Sequence, residues 1–135
     1  DIFLMTHTTN PFLSRYSVQA AIKKFKIAVK SEVADSLFTV NKVQDRFYDD
    51  NAQPINHDPT NLIRTQDLDP WYQENSNLYL FSKNSFFKTD ARIGVNPTML
   101  VTAPYESIDI DTPDDWELGE VMVEYYRKKG ILSEL

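Results

Sequence analysis

The pattern of apolar and polar residues along the chain predicts strands that alternate with helices. The continuous apolar run at residues 2–5 is typical of a parallel strand that is buried on both faces. Further apolar runs at residues 37–43, 78–81 and 99–101 predict additional strands. Because helical patterns separate these runs, we expect an α/β fold with a mostly parallel sheet.

Helices are predicted where apolar residues recur every three or four positions. Ser17 can cap a first helix whose buried stripe comprises Val18, Ala21, Ile22 and Phe25. Ser82 can cap a short helix that runs to Phe87. A last helix is predicted from residue 113 to about residue 129, with Thr112 as its N-cap and Gly130 at its end. Its predicted buried stripe comprises Leu118, Val121, Met122 and Tyr125.

One segment departs from this alternation. Residues 46–49 and 53–55 predict a hairpin with Asp50 and Asn51 in its turn. Residues 61–71 have no clean period and are expected to form a loop or short helix. We therefore expect one domain, residues 1–135, in which the hairpin near residues 46–55 is a small excursion from the sheet.

Two carboxylates stand just before the last predicted helix. Ile108 and Ile110 alternate with polar neighbours, which predicts a half-buried strand. Asp109 and Asp111 would then share one face, with Cα atoms roughly 6.5–7 Å apart. Such a pair can hold Mg²⁺, which takes one or two protein carboxylates together with substrate phosphates. The alternative is that these acids form only the solvated face of an edge strand.

A polar stretch at residues 6–11 follows the first predicted strand. Ligands in open α/β sheets bind at the carboxyl ends of the strands. His7, Thr9 and Asn10 are therefore candidates for polar recognition, although an ordinary strand-to-helix connection would have the same composition.

Composition excludes several classes of function. A net charge of −6 argues against a nucleic-acid surface, and no apolar stretch is long enough to cross a membrane. The absence of cysteine removes thiol chemistry and fits a reducing, cytoplasmic location. The glycines Gly94, Gly119 and Gly130 form no phosphate-binding loop.

Three stretches together resemble the acylneuraminate (CMP-sialic acid) cytidylyltransferases and the related CMP-Kdo synthetases. Residues 106–112 (ESIDIDT) are similar to the family motif S/G-I-D-I/V-D-T, and residues 7–13 (HTTNPFL) to Q-P-T-S-P-L-R. Residues 64–68 (RTQDL) and 74–79 (ENSNLY) are similar to R-x-Q-x-L and N-G-x-x-Y. The order and spacing of these motifs agree along nearly the whole chain.

The resemblance implies an enzyme that joins CTP to a nonulosonic sugar acid and releases pyrophosphate, as in lipopolysaccharide or capsule synthesis. It implies a Rossmann-like nucleotidyltransferase fold in which an inserted segment, here at about residues 40–72, pairs two chains into a homodimer. Asp109 and Asp111 would be catalytic and would hold Mg²⁺. The implied substrate-binding residues are His7, Thr9, Asn10, Arg64, Gln66, Gln73 and Asn75. Arg64 is the candidate for the sugar carboxylate because its guanidinium fork fits that group.

The sequence also departs from the family pattern. His7 stands where the family often has Gln, Ser76 replaces a Gly, and Gln73 stands where some members have Arg. The family's opening A-R-x-G-S-K-type loop, which binds CTP, has no counterpart in the sequence. We therefore expect this chain to be the C-terminal part of a synthetase, inactive alone, with an exposed apolar sheet edge along residues 2–5.

Two alternatives remain open at this point. The chain could be a non-catalytic dimerisation or sugar-binding module in which the acidic pair has no role. It could also be a cytidylyltransferase for Kdo or for another nonulosonic acid, because a few pocket contacts decide the choice of sugar.

Overall fold

The computed structural model describes residues 1–130, which fall into two compact units. The first unit comprises Asp1–Asn41 and the described residues from Glu74 onward, and the second is Lys42–Gln73. The strands are β1 Ile2–Thr6, β2 Ser36–Val43, β3 Trp71–Ser82 and β4 Pro97–Val101. The helices are α1 Arg15–Lys30, α2 Lys83–Thr89 and α3 Pro113–Lys129, with 3₁₀ turns at Thr65–Asp67 and Pro104–Ser107. None of the helices within residues 1–130 is long and apolar enough to cross a membrane.

The strands form a single mixed sheet in the order β1-β3-β2-β4. Strand β2 pairs with β4 in parallel, whereas β1 pairs with β3 in the antiparallel direction. A mixed architecture of helices and strands is therefore confirmed, whereas a mostly parallel sheet is not, and the expectation that β1 is a buried parallel strand is wrong. Strand β1 lies at the sheet edge, where Ile2 is 48% exposed and Met5 37%. Its residues 2–5 are all apolar because both faces of the strand contact apolar side chains. On one face Leu4 and Phe25 line the same groove, and on the other the rings of Phe3 and Phe81 stack with centroids 5.8 Å apart.

Helix α1 packs on one face of the sheet and forms the core. Ala21 and Phe25 are buried against Leu37, Leu78 and Leu80, and the predicted stripe residues Val18 and Ile22 pack beside them. The helix begins earlier than predicted because its N-cap is Ser14, whose hydroxyl accepts a hydrogen bond from the Ser17 amide at 3.1 Å. Ser17 is thus the third helical residue and not the cap.

Strand β3 is longer than its apolar run predicted. Its second half carries the buried residues Leu78, Tyr79 and Leu80. Its first half begins with the exposed aromatic residues Trp71 and Tyr72 and is otherwise polar. The hydroxyl of Thr39 accepts from the Leu78 amide at 3.0 Å and donates to the Leu78 carbonyl. Ser82 then caps α2, as predicted, in a reciprocal capping box with Ser85.

The predicted strand at residues 106–111 is wrong. A 3₁₀ turn, Pro104–Ser107, occupies its start, and residues 108–111 form a loop without strand pairing. The last helix does begin as predicted, with Thr112 and Asp115 in a capping box and Gly130 in the left-handed region at φ 71°.

The predicted buried stripe of α3 is also wrong at three of its four positions, and only Met122 is half-buried. Leu118, Val121 and Tyr125 are exposed, and the buried residues are Gly119 and Tyr126. A Cβ atom at Gly119 would lie 3.2 Å from Cδ1 of Ile110, so glycine allows the helix to approach the loop closely. Glycine has no side chain, so Gly119 did not contribute to the apolar pattern from which the buried face was predicted. The predicted face is therefore rotated from the observed buried face by about one residue, roughly 100° around the helix axis.

The second unit, Lys42–Gln73, contains the predicted hairpin in a minimal form. A single bridge joins Tyr48 and Pro54, and the Ile55 amide donates to the Phe47 carbonyl at 2.9 Å. The carboxylate of Asp49 accepts from the amides of Asn51 and Gln53 and closes the turn. Residues 61–70 form a loop with a short 3₁₀ turn at Thr65–Asp67, as predicted, but Trp71 already belongs to β3.

The N-cap of α3 allows a direct test of how the loop is joined to this helix. We expect Thr112→Ala to lower the free energy of unfolding by about 1 kcal/mol, since it removes the hydroxyl that accepts from the Asp115 amide at 3.2 Å. Thr112→Ser keeps that hydroxyl and should lose much less. Urea unfolding measures both; equal stability of the alanine variant and the wild type would contradict the assigned cap.

Candidate functional site

The structure brings two predicted site segments together although they are far apart in the sequence. The Ile110 amide donates to the Thr9 carbonyl at 2.9 Å. The side-chain amide of Asn10 donates to the Ile108 carbonyl at 3.4 Å. The polar stretch after β1 thus lies directly against the loop that carries Asp109.

Three side chains at this junction keep oxygen atoms that accept no hydrogen bond from residues 1–130. Oδ1 of Asn10 and Oδ1 of Asp109 are buried and accept no hydrogen bond. Asp111 is exposed, and its carboxylate makes no hydrogen bond or ion pair with residues 1–130; its backbone amide donates to Asp115 at 3.2 Å. Buried acceptors are normally satisfied, so a group of free oxygens suits a hard cation.

Residues 1–130 contain no group of three or more His, Cys, Asp or Glu side chains placed to hold a metal ion. A metal at Asp109 and Asp111 would therefore use few protein ligands. A small number of protein ligands is typical of Mg²⁺ sites, because this ion keeps several water or phosphate ligands.

Glu106 fixes the start of the loop. Its side chain is buried, with a residue exposure of 2%, and its carboxylate accepts from the Ser14 amide at 3.2 Å and from the Ser17 hydroxyl at 2.6 Å. These donors lie at the N-terminus of α1, where the helix dipole favours a negative charge. The loop is thus fastened to α1 at one end and to α3 at the other.

A second polar cluster surrounds His7. Nη1 of Arg92 lies 3.3 Å from Nε2 of His7, and its guanidinium lies 4.0 Å from the centre of the Tyr79 ring. Nη2 of Arg92 lies 3.6 Å from Oε1 of Glu74, and the Tyr79 hydroxyl donates to the same carboxylate. Burial of the ring, together with this hydrogen bond, raises the pKa of Tyr79, so the phenol stays a neutral donor.

The sequence pattern gave no role to Arg92, Tyr79 or Glu74. Glu74 and Tyr79 lie within the stretch 74–79 that carries the family resemblance, so a signal for them existed. Arg92 lies in a bend after α2 and has no pattern signal. Only the fold brings it to His7, which is 85 positions away.

Asn75 is engaged within the protein. Its amide nitrogen donates to Oδ1 of Asn41 at 3.0 Å and to the hydroxyl of Thr102 at 2.8 Å. Its predicted contact with the sugar stays a prediction. Asn77, two residues along, is fully buried, and neither of its side-chain polar atoms has a partner.

The remaining predicted substrate residues belong to the second unit. Arg64 forms a two-contact ion pair with Asp67, at 2.8 and 3.3 Å. The backbone carbonyl of Gln66 accepts from Gln44 at 2.9 Å, and Gln73 is exposed. Their roles in substrate binding stay predictions.

An apolar groove of about 600 Å³ runs along α3. Phe12, Ile110, Trp116 and Gly119 are among its lining residues, whereas Asp109, Asp111 and His7 are not. The groove is therefore an apolar neighbour of the polar junction and not part of it.

Comparison with known sequences adds an independent finding. No model of a known protein family matches the sequence. The chain is similar to a CMP-N,N'-diacetyllegionaminic acid synthase of Legionella pneumophila, at 30% identity over 135 positions that cover 92% of this chain and 54% of that protein. The chain thus spans about half the length of that relative.

This similarity agrees with the predicted resemblance at the level of CMP-nonulosonic acid synthetases, a class of nucleotidyltransferases. It does not single out the sialic acid enzymes among them.

The role of Glu106 can be tested by its loss. We expect Glu106→Ala to lower the free energy of unfolding by about 2 kcal/mol, because the Ser14 amide and the Ser17 hydroxyl would lose their shared acceptor. Glu106→Gln keeps one acceptor oxygen and Ser17→Ala removes one bond, so both should lose less. Urea unfolding provides the measurement, and a fully stable alanine variant would show that Glu106 does not fasten the loop.

Proposed function

We propose that this chain is the sugar-acid and metal-binding part of a CMP-nonulosonic acid synthetase, which converts CTP and a nonulosonic acid into the CMP-sugar and pyrophosphate. One observation carries the proposal: unpaired acceptors at Asp109 and Asn10 lie where the polar stretch after β1 meets the loop before α3. The similarity to the legionaminic acid enzyme supports the same class of reaction.

The residues at the junction fit Mg²⁺. Asp109 and Asp111 would hold the ion, because their oxygens have no competing cation among residues 1–130. The chemistry that Mg²⁺ supplies in phosphoryl-type transfer is charge neutralisation and positioning of the reacting oxygens. The contacts of Ile108 and Ile110 with Asn10 and Thr9 would keep this loop aligned with the sugar pocket.

The polar stretch would bind the acceptor sugar. Arg92 can only donate, so Nε2 of a neutral His7 accepts and its ring proton lies on Nδ1. His7 can therefore offer a donor to a sugar hydroxyl, and Thr9 and Asn10 add a hydroxyl and an amide. Arg64, Gln66, Gln73 and Asn75 are proposed to complete substrate binding in the assembled enzyme.

Metal binding by the carboxylate pair can be tested on this chain with Mn²⁺, which takes similar oxygen ligands and broadens nearby NMR signals. We expect selective broadening at residues 108–111, and about tenfold weaker binding in Asp109→Asn and Asp111→Asn. Asp114→Asn is the matched control, since it removes the same charge from the first turn of α3. Equal effects of all three variants would contradict a specific site.

The same variants test the activity in the complete gene product. Asp109→Asn and Asp111→Asn should lower pyrophosphate release from CTP and N,N'-diacetyllegionaminic acid by about a hundredfold or more, while Asp114→Asn should not. Near-normal turnover of both variants in saturating Mg²⁺ would exclude the proposed role of the carboxylates.

We also propose that the second unit pairs two chains. It exposes several large apolar side chains, which are Tyr48, Ile55, Leu62, Ile63, Trp71 and Tyr72. Such side chains are typical of a protein interface. Light scattering at high micromolar concentration should give twice the 15.7 kDa chain mass. Leu62→Asp, at a residue 79% exposed, should shift the chain toward monomer, and Thr60→Asp should not. A monomeric wild type would contradict the proposal.

A further inference from the structure

Arg92 presents a positive charge next to the polar stretch that follows β1. We infer that Arg92, and not Arg64, binds the carboxylate of the sugar-acid substrate. This inference rests on the proposed function, because it assigns a specificity residue within the same sugar pocket.

The contacts of Arg92 hold its guanidinium in place. The group stacks on Tyr79 at 4.0 Å, and its Nη1 lies 3.3 Å from His7. The side chain is nevertheless 36% exposed, so a ligand can reach it. A guanidinium has five N–H donors in a planar fork, and these contacts leave donors available. Fixing the fork before binding reduces the entropy cost of forming a two-contact pair with a carboxylate.

The charge of Arg92 is only loosely neutralised. The acidic partner Glu74 is 3.6 Å from Nη2, and it also accepts the hydroxyl of Tyr79. Arg64 differs, since its fork already contacts both oxygens of Asp67, at 2.8 and 3.3 Å. Arg64 is 73% exposed, but a substrate carboxylate would have to displace Asp67 from it. At Arg92 the carboxylate meets a guanidinium that Tyr79 and His7 already hold in place.

The position of Arg92 also suits the chemistry of the substrate. In a nonulosonic acid the carboxylate and the reacting hydroxyl are attached to the same carbon atom. The residue that binds the carboxylate must therefore lie near the proposed metal loop. His7 links Arg92 to the metal loop. The backbone amide of Asn10 donates to the His7 carbonyl at 3.4 Å, and the side-chain amide of Asn10 donates to the Ile108 carbonyl.

Binding of matched ligands to the full chain tests the inference. The probes are N-acetylneuraminic acid and N,N'-diacetyllegionaminic acid, each compared with its methyl ester, which removes only the charge. NMR titration of the wild type should show tighter binding of at least one acid than of its ester. Arg92→Gln should weaken binding of that acid roughly tenfold or more and remove its advantage over the ester. Arg127→Gln, at an exposed arginine in the last turn of α3, is the matched control and should leave the preference unchanged, whereas Arg64→Gln tests the competing assignment.

Two further variants keep the test independent of folding. Arg92→Lys keeps the charge without the planar fork and should weaken acid binding by a smaller factor. Glu74→Gln removes the competing charge but keeps an acceptor for Tyr79, so it should tighten acid binding. The His7 ring signals should change in Arg92→Gln, while those of His57, which lies 2.9 Å from the Tyr48 hydroxyl in the other unit, should not.

The possible failures are distinguishable. If the wild type prefers an acid over its ester and neither the Arg92 variants nor Glu74→Gln alter that preference, the inference is overturned while the proposed function stands. Loss of the preference in Arg64→Gln alone would return the role to Arg64. If the wild type binds neither acid nor ester, the proposed function fails and the inference fails with it.

Discussion

The candidate site depends on the hydrogen bonds between the buried carboxylate of Glu106 and the start of α1. A carboxylate is costly to bury unless donors surround it, and here the Ser14 amide and the Ser17 hydroxyl supply them. Because those donors lie at the start of α1, the helix holds the segment that leads into residues 108–111. The loop needs no strand pairing to be fixed, since the Thr112 cap holds its other end.

The same junction contains acceptors that the protein leaves unsatisfied. Glu106 has its donors, whereas Asp109 and Asn10 each keep a buried oxygen without one. Free acceptors next to satisfied ones are expected where a ligand completes the hydrogen bonding, since a purely structural loop gains nothing from them. This contrast distinguishes Asp109 from exposed acids such as Asp111.

A second contrast concerns the two arginines considered for the sugar carboxylate. Arg64 forms an ion pair with Asp67, which lies three residues further along the chain. Arg92 is held by an aromatic ring, a histidine and a shared carboxylate, and it keeps donors exposed. A sequence motif identifies which residue types are present, but the charge available for a ligand depends on what each side chain already contacts.

Features that arise from contacts between near neighbours could be predicted from the sequence alone. The buried stripe of α1, the caps at Ser82 and Thr112, the hairpin turn near Asp49 and the strand β2 all follow from local spacing and hydrogen bonding. The sequence also placed polar residues after β1 and acids before α3, the two segments that meet in the fold.

Other features could not be predicted from local patterns, because they depend on contacts between residues that are distant in the sequence. Residues 108–111 alternate as a strand would, but they pair with no strand; Thr9 and Asn10 supply their partners instead. The apolar run of β1 lies at an antiparallel edge, and Gly119 turns α3 toward Ile110. Arg92 reaches His7 across 85 positions. Local periodicity indicates which side chains are apolar enough to be buried. Which residues they contact, and which charged groups lie beside them, depends on the packing of the whole unit.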